Sequence, residues 1–286
     1  MSKVAVITDS VACLTKEHIQ QYGIRIIPIN FVFEGNVYRD WVDVTPSQAY
    51  EFLRRSPEQF WTSPSSPGEH LEAFQEISTQ TNSLLCITLS SKLSAMHNNA
   101  QVAKELAKSE LPAMKIEVID SNTAAGAQAL IVLAAARAAA EGKSLDEVVE
   151  EALDVREGVK MFVVLETIRH VYRSGRVPKV ASQIGSLLPV KPLLSISEGA
   201  VHIVGVARTK QRGVTQLLQT MRERVDRKKP LHVVVMHADA LQEGERLKEQ
   251  VASEFDCIEL LLTEFSPVMG YATGRGVLGV AFYPEA

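Results

Sequence analysis

Cysteine is scarce in this sequence: Cys13, Cys86 and Cys257 are odd in number, far apart and set among apolar neighbours. That excludes a disulfide framework and fits buried thiols in a reducing compartment. The seven histidines (18, 70, 97, 170, 202, 232 and 237) show neither His-x-x-x-His nor His-Glu-x-x-His spacing, and no cysteine pair is close enough to join them. No metal site is expected from that pattern. A Gly-x-Ser-x-Gly elbow is missing, and no cysteine has a histidine near it in sequence, so nucleophilic catalysis has no local signature. Excess charge is missing too. A formal net charge of −4 creates no field that draws nucleic acid or anionic lipid. The longest apolar stretch, Ala124 to Ala140, is mostly alanine and carries Gln128 and Arg137, so it reads as a buried amphipathic helix and gives no stable membrane insertion. The opening apolar run breaks at Asp9, short of a signal peptide, and a cytoplasmic location is expected.

What is present is a globular composition: 286 residues, 46% hydrophobic and 22% charged. The length suits two medium domains, here set at 1–157 and 158–286. In the first, Val4–Thr8, Leu84–Leu89 and Ile116–Ile119 are short β-branched runs, each followed by polar residues and a helical pattern, which is the signature of βαβ units in a parallel sheet. Helices are expected to start at the capping boxes opened by Thr45, Ser66 and Ser144, two of them with proline next. Ile24–Phe33 and Val37–Arg39 read as a hairpin with Pro28 at its edge. In the second domain Met161–Leu165, the hairpin Val190–Ile196 with Ala200–Ala207, Leu231–Met236 and Ile258–Thr263 are further strands, giving a mixed α/β domain. The expected fold class is α/β with the ligand site between the two domains.

Two hydroxyl clusters stand out. Trp61-Thr62-Ser63-Pro64-Ser65-Ser66-Pro67 crowds hydroxyls between two prolines and reads as a loop just before a capped helix, and Ser90-Ser91-Lys92-Leu93-Ser94 follows a parallel strand. The second occupies the carboxyl end of a strand, where open α/β sheets bind ligands beside helix N-termini. Capping explains Ser66 and does not require Thr62. Hydroxyls with helix-end amides are enough for one carboxylate, and the residues alone fit a cap or a grip equally. Gly274-Arg275-Gly276-Val277-Leu278-Gly279 has the dinucleotide spacing, yet it stands at the end of the chain and reads as a glycine turn into a last strand. The basic stretch Arg222, Arg224, Arg227, Lys228 and Lys229 is interleaved with acids and fits a helix C-terminus. Arg169, Arg173 and Arg176 around Ser174-Gly175 read as a contact surface or a solvated face. An enzyme acting on a small anionic or nucleotide substrate with the same loops is the alternative.

In order along the chain, Val6-Ile7-Thr8-Asp9-Ser10, Tyr38-Arg39-Asp40 with Val42-Asp43, Thr62-Ser63 with Ser66-Pro67, Ser90 to Ser94, Asp120-Ser121, Ser174-Gly175-Arg176, Arg208-Thr209 and Thr273-Gly274 with Gly276 resemble the motifs of the DegV family of bacterial fatty-acid-binding proteins. The resemblance implies a two-domain α/β protein that binds one long-chain fatty acid without catalysis or cofactor, its carboxylate held by Thr62 and Ser94. It also implies a partner, an ATP-dependent fatty acid kinase subunit to which the acid is presented. Ser63, Ser91, Arg176, Arg208 and Thr273 are the residues expected to support the site or face that partner. This chain departs from the family pattern at Ala272, where histidine is usual, and that leaves more of the head-group recognition to the two hydroxyls.

Overall fold

The computed structural model describes residues 4–176, 190–226 and 229–285. In chain order the strands are β1 (Ala5–Asp9), β2 (Arg25–Ile27), β3 (Asn30–Phe33), β4 (Asn36–Arg39), β5 (Phe60–Ser63), β6 (Ser83–Thr88), β7 (Lys115–Asp120), β8 (Lys160–Val164), β9 (Lys191–Ser197), β10 (Ala200–Ala207), β11 (Leu231–His237), β12 (Cys257–Glu264) and β13 (Leu278–Pro284). The helices are α1 (Lys16–Tyr22), α2 (Pro46–Arg55), α3 (Pro67–Ser78), α4 (Met96–Glu110), α5 (Ala125–Ala140), α6 (Leu145–Gly158), α7 (Arg169–Ser174), α8 (Lys210–Arg222), α9 (Leu241–Glu254) and α10 (Pro267–Thr273).

Both expected sheets are present. The four-stranded sheet, in the order β2-β1-β6-β7, is parallel throughout. The six-stranded sheet, β10-β9-β8-β13-β11-β12, is mixed, with β11 and β12 its parallel pair. Thr45, Ser66 and Ser144 each close a reciprocal capping box, so those three starts fall where the side-chain chemistry places them.

A third sheet, β4-β3-β5, corrects the reading of Ile24–Phe33 as one strand of a hairpin. Pro28 lacks an N–H for a ladder, and the chain leaves the parallel sheet at Ile27 and re-enters as β3 in a different, antiparallel sheet. The hairpin with β4 turns through Glu34 and Gly35, both at positive φ (48° and 81°), as a two-residue turn requires. The segment from Trp61, read as a loop, begins inside β5. Of the basic stretch, Arg227 and Lys228 lie outside the described residues, while Arg222 sits in the last turn of α8 and pairs with Glu254 at 2.7 Å.

Helix α5 is not amphipathic. From Ala125 to Ala139 every residue except Arg137 is buried, because the helix packs against β1 on one side and β11 and β13 on the other. Alanine suits that position, since a short side chain brings both sheets close to the helix backbone. At Gly126 the fit is tighter still: an added Cβ would stand 2.8 Å from Met236 Sδ and 2.9 Å from Val234 Cγ1. No described helix is long and apolar enough to cross a membrane.

Two carboxyls are buried where these layers meet. Asp9 accepts hydrogen bonds from Val11 N (3.0 Å), Leu89 N (2.7 Å) and Gln128 Nε2 (3.1 Å). It therefore ties β1 to the loop after β6 and to α5. Asp40, between β4 and α2, accepts from Val268 N at 3.2 Å and so holds the first turn of α10. Burial is the main cause that lifts Asp9 to about 6 and Asp40 from 3.8 to about 7. A raised acid pKa means the folded state holds its proton more tightly. The stability it contributes is complete below 3.8 and is lost as pH rises through about 7.

Asp40→Asn keeps an acceptor for Val268 N but cannot ionise. Thermal melts of both proteins are expected to show the wild type losing stability relative to the variant across the interval from 3.8 to about 7. Parallel pH profiles would remove Asp40 as the titrating group. Gly126→Val is expected to lower stability by about 1–3 kcal/mol through overpacking, read as a lower denaturation midpoint at an unchanged denaturant slope.

Candidate functional site

An apolar cavity of about 910 Å³, measured to its open mouth, lies between the parallel and mixed sheets and the β3–β5 layer. Its walls come from Ile29, Met161, Val163, Leu194, Phe265 and Val268, with Met269, Tyr271 and Ala272 of α10 closing one side.

Aromatic packing places Thr62 on this wall. Phe31 stacks on Phe60 at 4.7 Å, and Phe60 stacks on Tyr271 at 5.2 Å, so one face of β5 is pressed against α10. Residues two apart on a strand share a face, and Thr62 therefore follows Phe60 into the cavity. Tyr271 is covered from outside by the Arg173 guanidinium, 5.2 Å from its ring centre.

Ser94 arrives from the loop after β6. Leu89 N is held by Asp9, Ser90 N donates to Thr123 O (2.8 Å), and the amides of Leu93 and Ser94 fold back on Ser90 O (3.0 and 3.1 Å). The Ser90 hydroxyl donates to Gly199 O at 2.8 Å, joining this loop to the β9–β10 hairpin. Glycine is required there: φ is 77° and an added Cβ would stand 2.6 Å from Ser90 Oγ. Ser94 Oγ accepts weakly from Met96 N (3.4 Å).

Arg176 joins these segments. Gly175, at φ 74°, ends α7 and turns the chain, after which the guanidinium donates to Ser174 O, to Leu93 O (3.4 Å) and to Thr62 Oγ1 (3.4 Å). One planar side chain thus bridges β5, the loop after β6 and the end of α7. Because Thr62 Oγ1 and Ser94 Oγ are each used as acceptors, both hydroxyl protons are left to donate into the cavity. Hydroxyls with helix-end amides were expected to be sufficient. The structure adds a cation, and Ala95, the N-cap of α4, has no side-chain cap bond.

The cavity wall brings together Thr62, Ser63, Ser94, Arg176 and Thr273. Thr273 Oγ1 donates to Met269 O at 2.7 Å within α10. Ser91 and Arg208 lie elsewhere: Ser91 is exposed with its amide on Asp120 Oδ2 (3.0 Å), and Arg208 is exposed just after β10. Sequence reasoning missed the apolar wall, whose residues come from strands and helices far apart in the chain. Outside the cavity wall, the ring of His170 packs so closely on Gly274 that a Cβ there would meet Cδ2 at 2.3 Å. Burial, then Arg173 and Arg169, push the His170 pKa down. The glycines at 274 and 276 are a turn into β13, both at positive φ. Among the described residues no group of three or more His, Cys, Asp or Glu side chains could hold a metal ion.

Comparison with known proteins places this geometry. A DegV-domain protein from Clostridium perfringens is 28% identical over 283 residues, covering 99% of each chain, and one from Clostridium acetobutylicum is 28% identical over 100% of each. A DegV-family protein from Thermus thermophilus, described as fatty acid binding, superposes with a TM-score of 0.91 at 26% identity over 100% of both chains. DegV from Bacillus subtilis, described as a fatty acid binding protein, gives 0.89 at 26% identity, again over 100% of both chains. The family model for uncharacterised proteins of the DegV type matches residues 3–285, and the chain belongs to the DegV family.

Proposed function

We propose that this protein binds one long-chain fatty acid, with the carboxylate at Thr62, Ser94 and Arg176 and the tail along the apolar wall. The observation that carries the reading is the division of one cavity into a small polar end and a large apolar remainder. A carboxylate buried without donors is heavily penalised, and two hydroxyls backed by a guanidinium offset that cost. Each buried methylene contributes about 0.8 kcal/mol, so a tail of about sixteen carbons supplies on the order of 12 kcal/mol before ordering costs. Affinity then lies in the tail and orientation in the head. The fatty acid binding described for the Thermus thermophilus and Bacillus subtilis proteins supports this assignment.

In this reading the chain is a carrier and not a catalyst. Its polar end presents the carboxylate to a separate ATP-dependent fatty acid kinase subunit in the cytoplasm, with exposed Arg208 and the Arg173 side of α7 as the docking face. Residues 1–157 and 158–286 form the two units on either side of the acid.

Denaturing the purified protein, extracting it with solvent and analysing the extract by mass spectrometry is expected to give about one fatty acid per chain. An empty extract, with no fatty-acid binding on titration, overturns the proposal. Thr62→Ala combined with Ser94→Ala removes two hydrogen bonds to a charged group, each worth about 1.5–3 kcal/mol. The double variant is expected to retain the acid at least tenfold more weakly while its circular dichroism spectrum is unchanged; equal retention would place the head group elsewhere.

A further inference from the structure

Helix α10 closes the apolar cavity from an insecure seat. It contributes Val268, Met269, Tyr271, Ala272 and Thr273 to the wall, yet it has only seven residues, too few for a helix to hold without outside support. Gly274 and Gly276 follow it at positive φ, so the chain beyond its end re-orients at little steric cost. Three bonds fasten its first turn. Ser266 N donates to Cys13 Sγ at 3.3 Å, and Val268 N donates to the Asp40 carboxyl at 3.2 Å. The Ser266 hydroxyl accepts from Met269 N at 3.3 Å and gives its own proton to the same carboxyl. Sulfur is a weak acceptor, so the two stronger fastenings converge on one side chain.

Asp40 is itself well anchored. Its N–H donates to Ile29 O at 2.9 Å, and it bridges to Val44. The Ser10 hydroxyl, which accepts from Ile29 N at 3.0 Å, donates to its carboxyl. When the contact between Asp40 and α10 yields, the helix is therefore the side that moves.

The groups facing the carboxyl decide when it yields. Asp9 from β1, Cys13 from the turn after β1 and Tyr50 from α2 are the ionisable groups that interact with it, and none of them is a base. Arg39, the base next to it in sequence, is turned to Asp43 at 2.9 Å. Burial dominates, and it raises the covered carboxyl from 3.8 to about 7. Displacing α10 admits water and returns the group toward 3.8, so seating the helix takes up a proton. Seating is favoured in full below 3.8 and loses ground as pH rises through about 7.

We propose that α10 is a movable wall of the apolar cavity, seated while Asp40 is protonated and released when it ionises, so that the cavity opens as pH rises. The consequence for a bound acid, faster release at higher pH, rests on the proposed fatty-acid binding. The motion of the helix does not.

The test follows amide hydrogen exchange of the full ligand-free chain by mass spectrometry across pH, each rate corrected for the intrinsic pH dependence of exchange, with α4 as the internal reference. Peptides spanning Pro267–Thr273 are expected to lose protection about tenfold between about pH 5 and about pH 7, while α4 does not change. In Asp40→Asn that pH dependence is expected to vanish. Ser10→Ala removes a donor to the carboxylate without touching α10 and is expected to move the midpoint of the profile to higher pH, which keeps the test decisive if the first variant fails to fold. Protection that tracks α4 at every pH, or a wild-type profile in each variant that folds, overturns the proposal. A second arm measures the release of hexadecanol, which does not titrate over this interval. Release that quickens with pH in the wild type and not in Asp40→Asn is expected, and release indifferent to pH overturns the opening of the cavity. If neither hexadecanol nor hexadecanoate binds while the exchange profile is as expected, the fatty-acid reading fails and the proton-linked seat of α10 is supported.

Discussion

The buried carboxyl of Asp9 is the constraint on which the remaining architecture rests. It accepts from β1's own continuation at Val11, from Leu89 after β6 and from Gln128 of α5. Three segments distant in sequence are therefore fixed at one point. Two backbone amides at the carboxyl ends of parallel strands need partners when buried, and a single carboxyl satisfies both. The loop that carries Ser90 to Ser94 starts at the amide Asp9 holds, so the geometry of the cavity's polar end inherits its precision from a residue that does not touch it.

The polar end is assembled from parts that Arg176 bridges, beside the bonds from Asn99 Nδ2 to Ser65 O and from Ser65 N to Met96 Sδ. Thr62 comes from an antiparallel layer, Ser94 from the parallel sheet, and the arginine from the far side of the chain. A guanidinium is suited to this because its donors are fixed in one plane, so several acceptors are set relative to one another by a single side chain. The aromatic stack from Phe31 through Phe60 to Tyr271 does the corresponding work for the apolar wall.

Much of the fold was legible because its signals are local. Capping boxes at Thr45, Ser66 and Ser144 need only four consecutive residues, and the alternating runs of the parallel strands need only six or so. Pro28 was legible as a disruption, but whether it marks an edge or divides one strand between two sheets is decided by what packs around it. Helix α5 was legible as buried but not as buried on every side: alanine is compatible with one covered face or with all of them, and only the presence of sheets on both sides settles which. At the site, Thr62 and Ser94 stood out as hydroxyls that capping did not require. Arg176 was visible as one of three arginines around a turn, yet nothing in the spacing separates the one that turns inward from Arg169 and Arg173, which are exposed.

The alanine layer of α5 also has an evolutionary consequence. A spacer made of methyl groups sets the distance between two sheets at its lower limit, and any enlargement is resisted from both sides at once. Apart from Ala124 at its entrance, the cavity wall is drawn from elements other than this helix. Cavity dimensions can therefore drift through substitutions on β8, β9 and α10 while the spacing of the sheets is inherited unchanged, which separates the history of the cavity from the history of the fold.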